Sequence, residues 1–191
     1  MTSTFRIPKA RIAGPYGAIL TRFVKGMWGQ VPDNAYALWH NRRVMKSVLR
    51  MELGAMRWKA LDPQLSSYAE MAAAGVIGCS WCLDFGYFQA HRSGLDLDKV
   101  RDVPRWRESD RFTATERDVM EYAEAMTATP PTVTDALSAR LLEQLGAAAM
   151  VELTQLIALE NMRSRFNAAA GLESQGFSSV CELPLAVPSP A

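Results

Sequence analysis

The chain has 191 residues, of which 49% are hydrophobic and 21% are charged, as in a globular protein with one buried core. Lysine and arginine number 21 and aspartate and glutamate 20, so the net charge of +1 gives no electrostatic reason to expect nucleic acid or an anionic membrane as a partner. No apolar run approaches the roughly 20 residues that span a bilayer, and the N-terminal residues lack the apolar segment of a signal peptide. Three cysteines without such a segment predict a cytoplasmic protein, in which a structural disulfide is unusual.

Helix signals recur along the whole chain, and no segment alternates in the manner of a strand, so the sequence predicts an all-α fold. Asp62-Pro63 is a cap followed by a first-turn proline, and Thr113 with Glu116 forms a capping box. The predicted helices run from Asp33 to about Lys59, from Pro63 to about Val76, from the cysteines to Gly94, from Asp96 to Val103, from Thr113 to about Met126, from Thr134 to Gly146, and from about Ala147 to Ala170.

The domain organisation follows from composition. Residues 1–176 are predicted to form one helical domain with an extended N-terminal arm. Residues 177–191 are rich in proline and are predicted to form a C-terminal arm.

Two cysteines three residues apart, Cys79 and Cys82, stand where one apolar helix ends and the next begins. This spacing at a helix start brings the sulfurs within disulfide reach, and the exposed N–H groups of the first turn favour a thiolate. The pair therefore predicts a reversible disulfide and redox chemistry. The alternatives are two buried thiols that act as small hydrophobic side chains, or a metal site.

A zinc site would need four ligands, and only Cys181, His40 and His91 remain to complete one. None of these three is spaced as a partner of the cysteine pair. The sequence therefore predicts neither a metal nor a cofactor.

An ordered series of short segments runs through both halves of the chain. It comprises Leu61-Asp62-Pro63-Gln64-Leu65, Gly78-Cys79-Ser80-Trp81-Cys82, Gly94-Leu95, Phe112-Thr113-Ala114-Thr115-Glu116-Arg117, Val151-Glu152-Leu153-Thr154, Asn161, Arg165, Asn167 and Gly171-Leu172. In this order, from about Arg6 to Gly176, the series resembles the carboxymuconolactone decarboxylase and alkylhydroperoxidase D-like superfamily. The resemblance implies a compact helical bundle that assembles into a dimer, trimer or hexamer. It also implies peroxide reduction in which Cys82 attacks and Cys79 resolves.

The residues that relay protons in that pattern are absent here. Ser67 stands where a glutamate precedes the first cysteine by twelve residues, Trp81 replaces a histidine between the cysteines, and Gly86 replaces one four residues after the second. General acid–base catalysis contributes about 10²–10⁴-fold in such reactions, so a substitute has to come from elsewhere. Gly86 also leaves room one turn beyond Cys82, for either a closely packed helix or a pocket.

Two carboxylates are candidate substitutes. Glu70 lies three residues beyond Ser67 on nearly the same helical face, one turn nearer the cysteines, and is the preferred candidate; its alternative is a solvated surface charge. Glu160 lies on an apolar stripe, which indicates burial with a partner such as Arg163 and a raised pKa, or an ion pair at an oligomer interface. Neither His91 nor Asp84 shares the helical face of Cys82.

Three functions remain open at this point. The first is a thiol oxidoreductase that acts on a small-molecule peroxide or exchanges with a dithiol or disulfide protein. The second is a decarboxylase-like or lactone-handling enzyme in which the thiols are incidental, and the third is a non-catalytic ligand-binding oligomer. The retained cysteine pair favours the first, with Cys82, Cys79 and Glu70 as its catalytic residues.

Overall fold

A computed structural model of the chain describes residues 5–181 and 185–186. Its α-helices are α1 (Gly14–Trp28), α2 (Asp33–Leu38), α3 (Arg42–Ala55), α4 (Pro63–Ile77), α5 (Ser80–Arg92), α6 (Leu97–Val100), α7 (Ala114–Thr127) and α8 (Asp135–Ala170). Two short 3-10 helices span Val103–Glu108 and Phe177–Val180. Within the described residues there is no strand, which confirms the all-α prediction.

The bundle is built around α4, which packs against α5, α7 and α8. The buried face of α4 carries four alanines among larger side chains, and such small residues let neighbouring helices approach closely. Its fully or nearly fully buried residues are Tyr68, Ala69, Met71, Ala72, Ala73 and Ala74. Asp62 caps α4 by accepting hydrogen bonds from the backbone of Gln64 and Leu65, as its position before a proline predicts.

The longest helix, α8, changes direction at Gly146, whose φ of +78° is in the left-handed region that only glycine adopts easily. The predicted interruption at this residue is therefore present. By length and apolar composition alone α8 is long enough to cross a membrane. In the structure its C-terminal half packs against α4 and α7 and buries three polar side chains, Glu160, Ser164 and Asn167.

The N-terminal third differs from the prediction. Asn41 accepts hydrogen bonds from the backbone N–H groups of Arg43 and Val44, so it begins a new helix, and the stretch predicted from Asp33 to Lys59 is divided into α2 and α3. The N-terminal arm contains α1, which the sequence patterns did not reveal because its N-cap position is Ala13, a residue without a capping side chain.

The C-terminal segment begins as part of the core. Phe177, the first residue of the predicted arm, is buried among aromatic side chains of α5. The part of the predicted arm at 182–184 and 187–191 lies outside the described residues.

Candidate active site

The cysteine pair lies at the first turn of α5. Gly78 ends α4 with a φ of +75° and turns the chain so that Cys79 becomes the N-cap residue of α5. The sulfur of Cys79 accepts a hydrogen bond from the backbone N–H of Cys82 at 3.2 Å. The two residues are joined in a disulfide with their Cα atoms 5.3 Å apart, so the predicted pairing is present, and its reversibility stays a prediction.

Both cysteines belong to the hydrophobic core. Cys79 is 2% exposed and Cys82 is 7% exposed, so Cys82 is the more accessible of the two. A molecule that reacts with either sulfur has to reach it through a local opening or along the small exposed surface of Cys82.

One polar side chain from α8 contacts the disulfide. The amide nitrogen of Asn167, which is 1% exposed, lies 3.3 Å from the sulfur of Cys82 and 4.0 Å from that of Cys79. The amide oxygen of Asn167 is buried and has no hydrogen-bond partner among the described residues. In the sequence, Asn167 is identified only as part of the family resemblance, because it is 85 residues from Cys82 and no local pattern predicts their contact.

The side chain of Met71 lies between Ser67 and Gly86, two of the three positions at which the proton-relay residues of the family pattern are absent. A Cβ atom added to Gly86 would meet Met71 Cγ at 3.3 Å and its sulfur at 3.8 Å. The hydroxyl of Ser67 lies 4.0 Å from the same sulfur. The two possibilities for Gly86 were a closely packed helix and a pocket, and the structure shows close packing. The Met71 thioether lies beside Ser67 and Gly86, the positions at which the relay pattern has a glutamate and a histidine.

The remaining relay position, Trp81, binds a segment that crosses the start of α5, here named the C-terminal strap (residues 174–178). The indole N–H of Trp81 donates to the side-chain oxygen of Gln175 at 2.7 Å. The backbone N–H of Ser174 donates to the hydroxyl of Ser80 at 3.3 Å. The strap is therefore attached to both residues that separate the cysteines.

Asp84 fixes the same strap one turn further along α5, on nearly the same helical face as Ser80 and Trp81. Its carboxylate accepts backbone N–H groups from Gln175 and Phe177 at 3.0 Å and from Ser178 at 2.7 Å. Burial acts to raise the pKa of Asp84, but the hydrogen bonds from Ser178 and Phe177 outweigh it and hold the pKa below its ordinary value. Asp84 faces away from Cys82 as predicted, and it stabilises the cover of the site.

The two candidate carboxylates meet around one arginine. Arg163 Nη1 lies 2.6 Å from Glu70 and 3.3 Å from Glu160, and its other nitrogens bind Glu52 at 2.9 and 2.5 Å. Glu70 is thus held by an ion pair directed towards α8. Its role as a base for Cys82 stays a prediction.

Glu160 is the most buried member of this cluster. Burial raises the pKa of Glu160 to about 7, the charge of nearby Glu70 adds to the shift, and Arg163 and the Ser164 hydroxyl only partly oppose it. The Ser164 hydroxyl donates to Glu160 at 2.5 Å. Since three carboxylates share one guanidinium, the least hydrated of them, Glu160, binds its proton more tightly than an ordinary glutamate does.

Among the described residues, no group of three His, Cys, Asp or Glu side chains is placed to hold a metal ion. The site brings together two sulfurs and the Asn167 amide, and a buried carboxyl group, that of Glu160, lies on the same helix as the amide.

Comparison with solved structures shows the fold. The apo structure of the debrominase Bmp8 superposes with a TM-score of 0.78 at 19% identity, over 94% of this chain and 95% of that chain. A cysteine-to-alanine variant of Bmp8 in complex with 2,3,4-tribromopyrrole gives a TM-score of 0.79 at 18% identity, over 93% of this chain and 95% of that chain. A peroxidase-related protein with an alkylhydroperoxidase AhpD core, from Ralstonia eutropha JMP134, gives 0.79 at 13% identity, over 96% and 98% of the two chains.

Comparison of sequences gives the family. The family model for the carboxymuconolactone decarboxylase family matches residues 42–125, which include the cysteine pair. The uncharacterized protein YnjA of Escherichia coli K12 is 36% identical over 172 residues, which cover 88% of this chain and 85% of that protein. Together with the helical bundle and its Cys-x-x-Cys, these matches show that the chain belongs to the carboxymuconolactone decarboxylase family.

Proposed function

We propose that this protein is a thiol-dependent oxidoreductase of the peroxidase type, in which Cys82 attacks the substrate and Cys79 resolves the product. The observation that carries the proposal is the disulfide at the start of α5, where each sulfur has a hydrogen-bond donor of its own. Hydrogen bonds to sulfur and the helix N-terminus favour the thiolate once the pair is reduced. Cys82 is assigned the attacking role because it is the more exposed residue of the pair and its sulfur is the nearer to the Asn167 amide.

The reaction balances with a hydroperoxide as oxidant. The Cys82 thiolate attacks the terminal oxygen, a sulfur–oxygen bond forms, the O–O bond breaks and the alcohol leaves after taking up a proton. Cys79 then attacks the sulfenic acid, so that the disulfide forms and water leaves. A dithiol, either a small molecule or a partner protein, returns two electrons and two protons to the pair.

The test compares three serine variants in the reduced protein. Cys82→Ser is expected to abolish consumption of cumene hydroperoxide, and Cys79→Ser to allow one turnover that leaves a sulfenic acid trapped by dimedone. Cys181→Ser is the matched control, because burial raises the pKa of the Cys181 thiol above its ordinary value and so disfavours its thiolate. Equal consumption by wild type and Cys82→Ser would contradict the proposal, as would two thiols that stay free after oxidant is added.

A second candidate reaction is reductive debromination, in which the reduced cysteine pair would again supply two electrons. The structural neighbour Bmp8 is a debrominase and was solved with 2,3,4-tribromopyrrole, and the Trp81, Phe85 and Phe177 rings cluster beside the cysteine turn of this chain. Replacement of bromine by hydrogen would oxidise the two thiols to the disulfide and release bromide with a proton. Bromide release from 2,3,4-tribromopyrrole by the reduced protein, lost in Cys82→Ser, would favour this reaction over peroxide reduction.

A decarboxylase-like or lactone-handling activity, or binding without catalysis, is distinguished by the same variants. Either of these functions would survive the loss of both thiols. An activity or a ligand affinity that is equal in wild type and in the Cys79→Ser/Cys82→Ser double variant would therefore replace the redox proposal.

A further inference from the structure

Asn167 is the described polar side chain that reaches both sulfurs, and its own hydrogen bonding is incomplete. The amide nitrogen faces Cys82 at 3.3 Å, and the amide oxygen is enclosed with no donor among the described residues. The side chain cannot turn to water, since it is 1% exposed, and its backbone is held in the last turns of α8, where the N–H of Leu172 donates to its carbonyl at 2.9 Å. An unsatisfied buried acceptor destabilises the state of the protein that contains it.

The oxidised pair is a poor partner for this amide. A disulfide sulfur carries no hydrogen, so it cannot donate to the amide oxygen, and it is only a weak acceptor for the amide nitrogen. In the oxidised protein the amide therefore makes one weak hydrogen bond and leaves its oxygen unpaired.

Reduction strengthens this contact. When the S–S bond breaks, two electrons and two protons enter and two thiols form, and loss of a proton from Cys82 gives its thiolate. That thiolate is a charged acceptor for the amide nitrogen, which already faces the Cys82 sulfur at 3.3 Å. The reduced form therefore pairs with Asn167 better than the disulfide does.

We propose that Asn167 is a positioning residue that stabilises the reduced form of the Cys79/Cys82 pair and thereby makes the pair a stronger oxidant. This inference rests on the proposed thiol chemistry and adds to it the residue that sets the thiol–disulfide equilibrium. Glu160, the buried carboxyl group on the same helix, is seven residues before Asn167, which is about 10 Å along the helix axis. It therefore does not take the place of the Asn167 amide at the sulfurs.

The experiment measures the equilibrium of the full-length protein with glutathione at fixed pH, in a Cys181→Ser background. The protein disulfide and two glutathione molecules exchange with the protein dithiol and glutathione disulfide, and mass spectrometry after alkylation gives the oxidised fraction. Asn167→Leu, which removes the amide while keeping four side-chain heavy atoms branched at Cγ, is expected to shift the equilibrium at least about tenfold towards the disulfide, equivalent to about 30 mV for a two-electron couple.

A second variant and a control make the result specific. Asn167→Ala removes the same amide with the strongest helix former and is expected to shift the equilibrium in the same direction. Asn161→Ala is the matched control. The Asn161 amide donates to the hydroxyl of Thr127 and to the backbone carbonyl of Ile157, so it does not depend on the cysteines. The equilibrium constant of this variant is expected to stay within about twofold of the wild type.

The outcomes separate this inference from the function on which it rests. A measurable wild-type equilibrium that does not move in the Asn167 variants, or that moves towards the dithiol, overturns the role of Asn167 and leaves the thiol chemistry in place. A wild-type pair that forms no disulfide in any glutathione buffer overturns both.

Discussion

At Cys82, the positions of the missing proton relay are filled by side chains of a different kind. Met71 packs on Gly86 beside Ser67, and Trp81 binds the C-terminal strap instead of the reacting sulfur. The amide of Asn167 approaches from α8. In the proposed reaction these hydrogen-bond donors would favour the Cys82 thiolate, and the group that takes the thiol proton, for which Glu70 stays the prediction, has to come from another element.

Met71→Ala is expected to open space beside Gly86. The loss of a fully buried methionine should lower the free energy of unfolding by about 2–5 kcal/mol, measured in urea. It should also increase the rate at which bulky maleimides alkylate the reduced Cys82, because the thioether no longer fills the position one turn away. Met120→Ala removes an equally buried methionine from α7 and is the control for general destabilisation. Equal acceleration in both variants would contradict a local effect.

Glu160 gives the stability a pH dependence of known sign. Its pKa is about 7 in the folded protein and near 4.5 otherwise, so its protonated form stabilises the fold at low pH, and this contribution is lost as the pH rises through about 7. Glu160→Gln keeps the group neutral. Between pH 4.5 and 8 the unfolding free energy of the wild type should therefore fall relative to that of the variant, by up to about 3 kcal/mol. The exposed Glu143→Gln is expected to give no such difference, and parallel curves for Glu160→Gln and the wild type would refute the assignment.

At the level of elements, local signals predicted the helix boundaries that depend on a capping side chain. Thr113 with Glu116, Asp62 before Pro63, and Gly146 act as predicted because caps and left-handed glycines depend on neighbours in sequence. The start of α3 was not predicted, although Asn41 caps it with its side chain, and α1 has no side-chain cap that the sequence could indicate.

The site was predicted only where its residues are close in sequence. The pairing of Cys79 with Cys82 follows from three-residue spacing. The Arg163–Glu160 contact spans three residues and was predicted from the apolar stripe. The contacts of Asn167 with Cys82, of Gln175 with Trp81, and of Arg163 with Glu52 and Glu70 join residues 85–111 positions apart, and no periodicity within one helix encodes them. The helical pattern therefore predicts the position of Glu70 on α4 but not its pairing with Arg163.

The C-terminal strap is expected to control access to the disulfide. Asp84→Asn removes the charge and replaces one of the two accepting oxygens with an NH2 group, which cannot accept, so at least one of the strap's backbone N–H groups loses a hydrogen bond to a charge worth about 1.5–3 kcal/mol. The variant should lose at least about 2 kcal/mol of stability, and dithiothreitol should reduce its disulfide faster than that of the wild type. Asp118→Asn, which breaks an ion pair with the half-exposed Arg140, is the control and should change neither quantity by much. An unchanged reduction rate in Asp84→Asn would show that the strap does not limit access.

At the scale of the molecule, α1 and the segment of α3 with Met56 present apolar side chains that no other described part of the chain covers. Phe23 on α1 is 63% exposed, and Met56, which follows α3, is 69% exposed. Neighbouring exposed apolar residues on these two segments are Tyr16, Ile19, Val44, Leu49, Met51 and Leu53. Such a concentration exceeds the scattered apolar residues of ordinary surfaces and is typical of a subunit interface.

We therefore expect the protein to assemble with copies of itself, as the family resemblance implies, and the exposed apolar residues predict an interface through α1 and α3. Light scattering after size exclusion, at several protein concentrations, should give a mass of a dimer or larger. Phe23→Glu combined with Met56→Glu should shift the mass towards the monomer, because each charge would have to be buried without a partner. Val151→Glu is the matched control, since Val151 is also 69% exposed but lies on α8. A monomer at every concentration, or dissociation by Val151→Glu alone, would place the interface elsewhere or remove it.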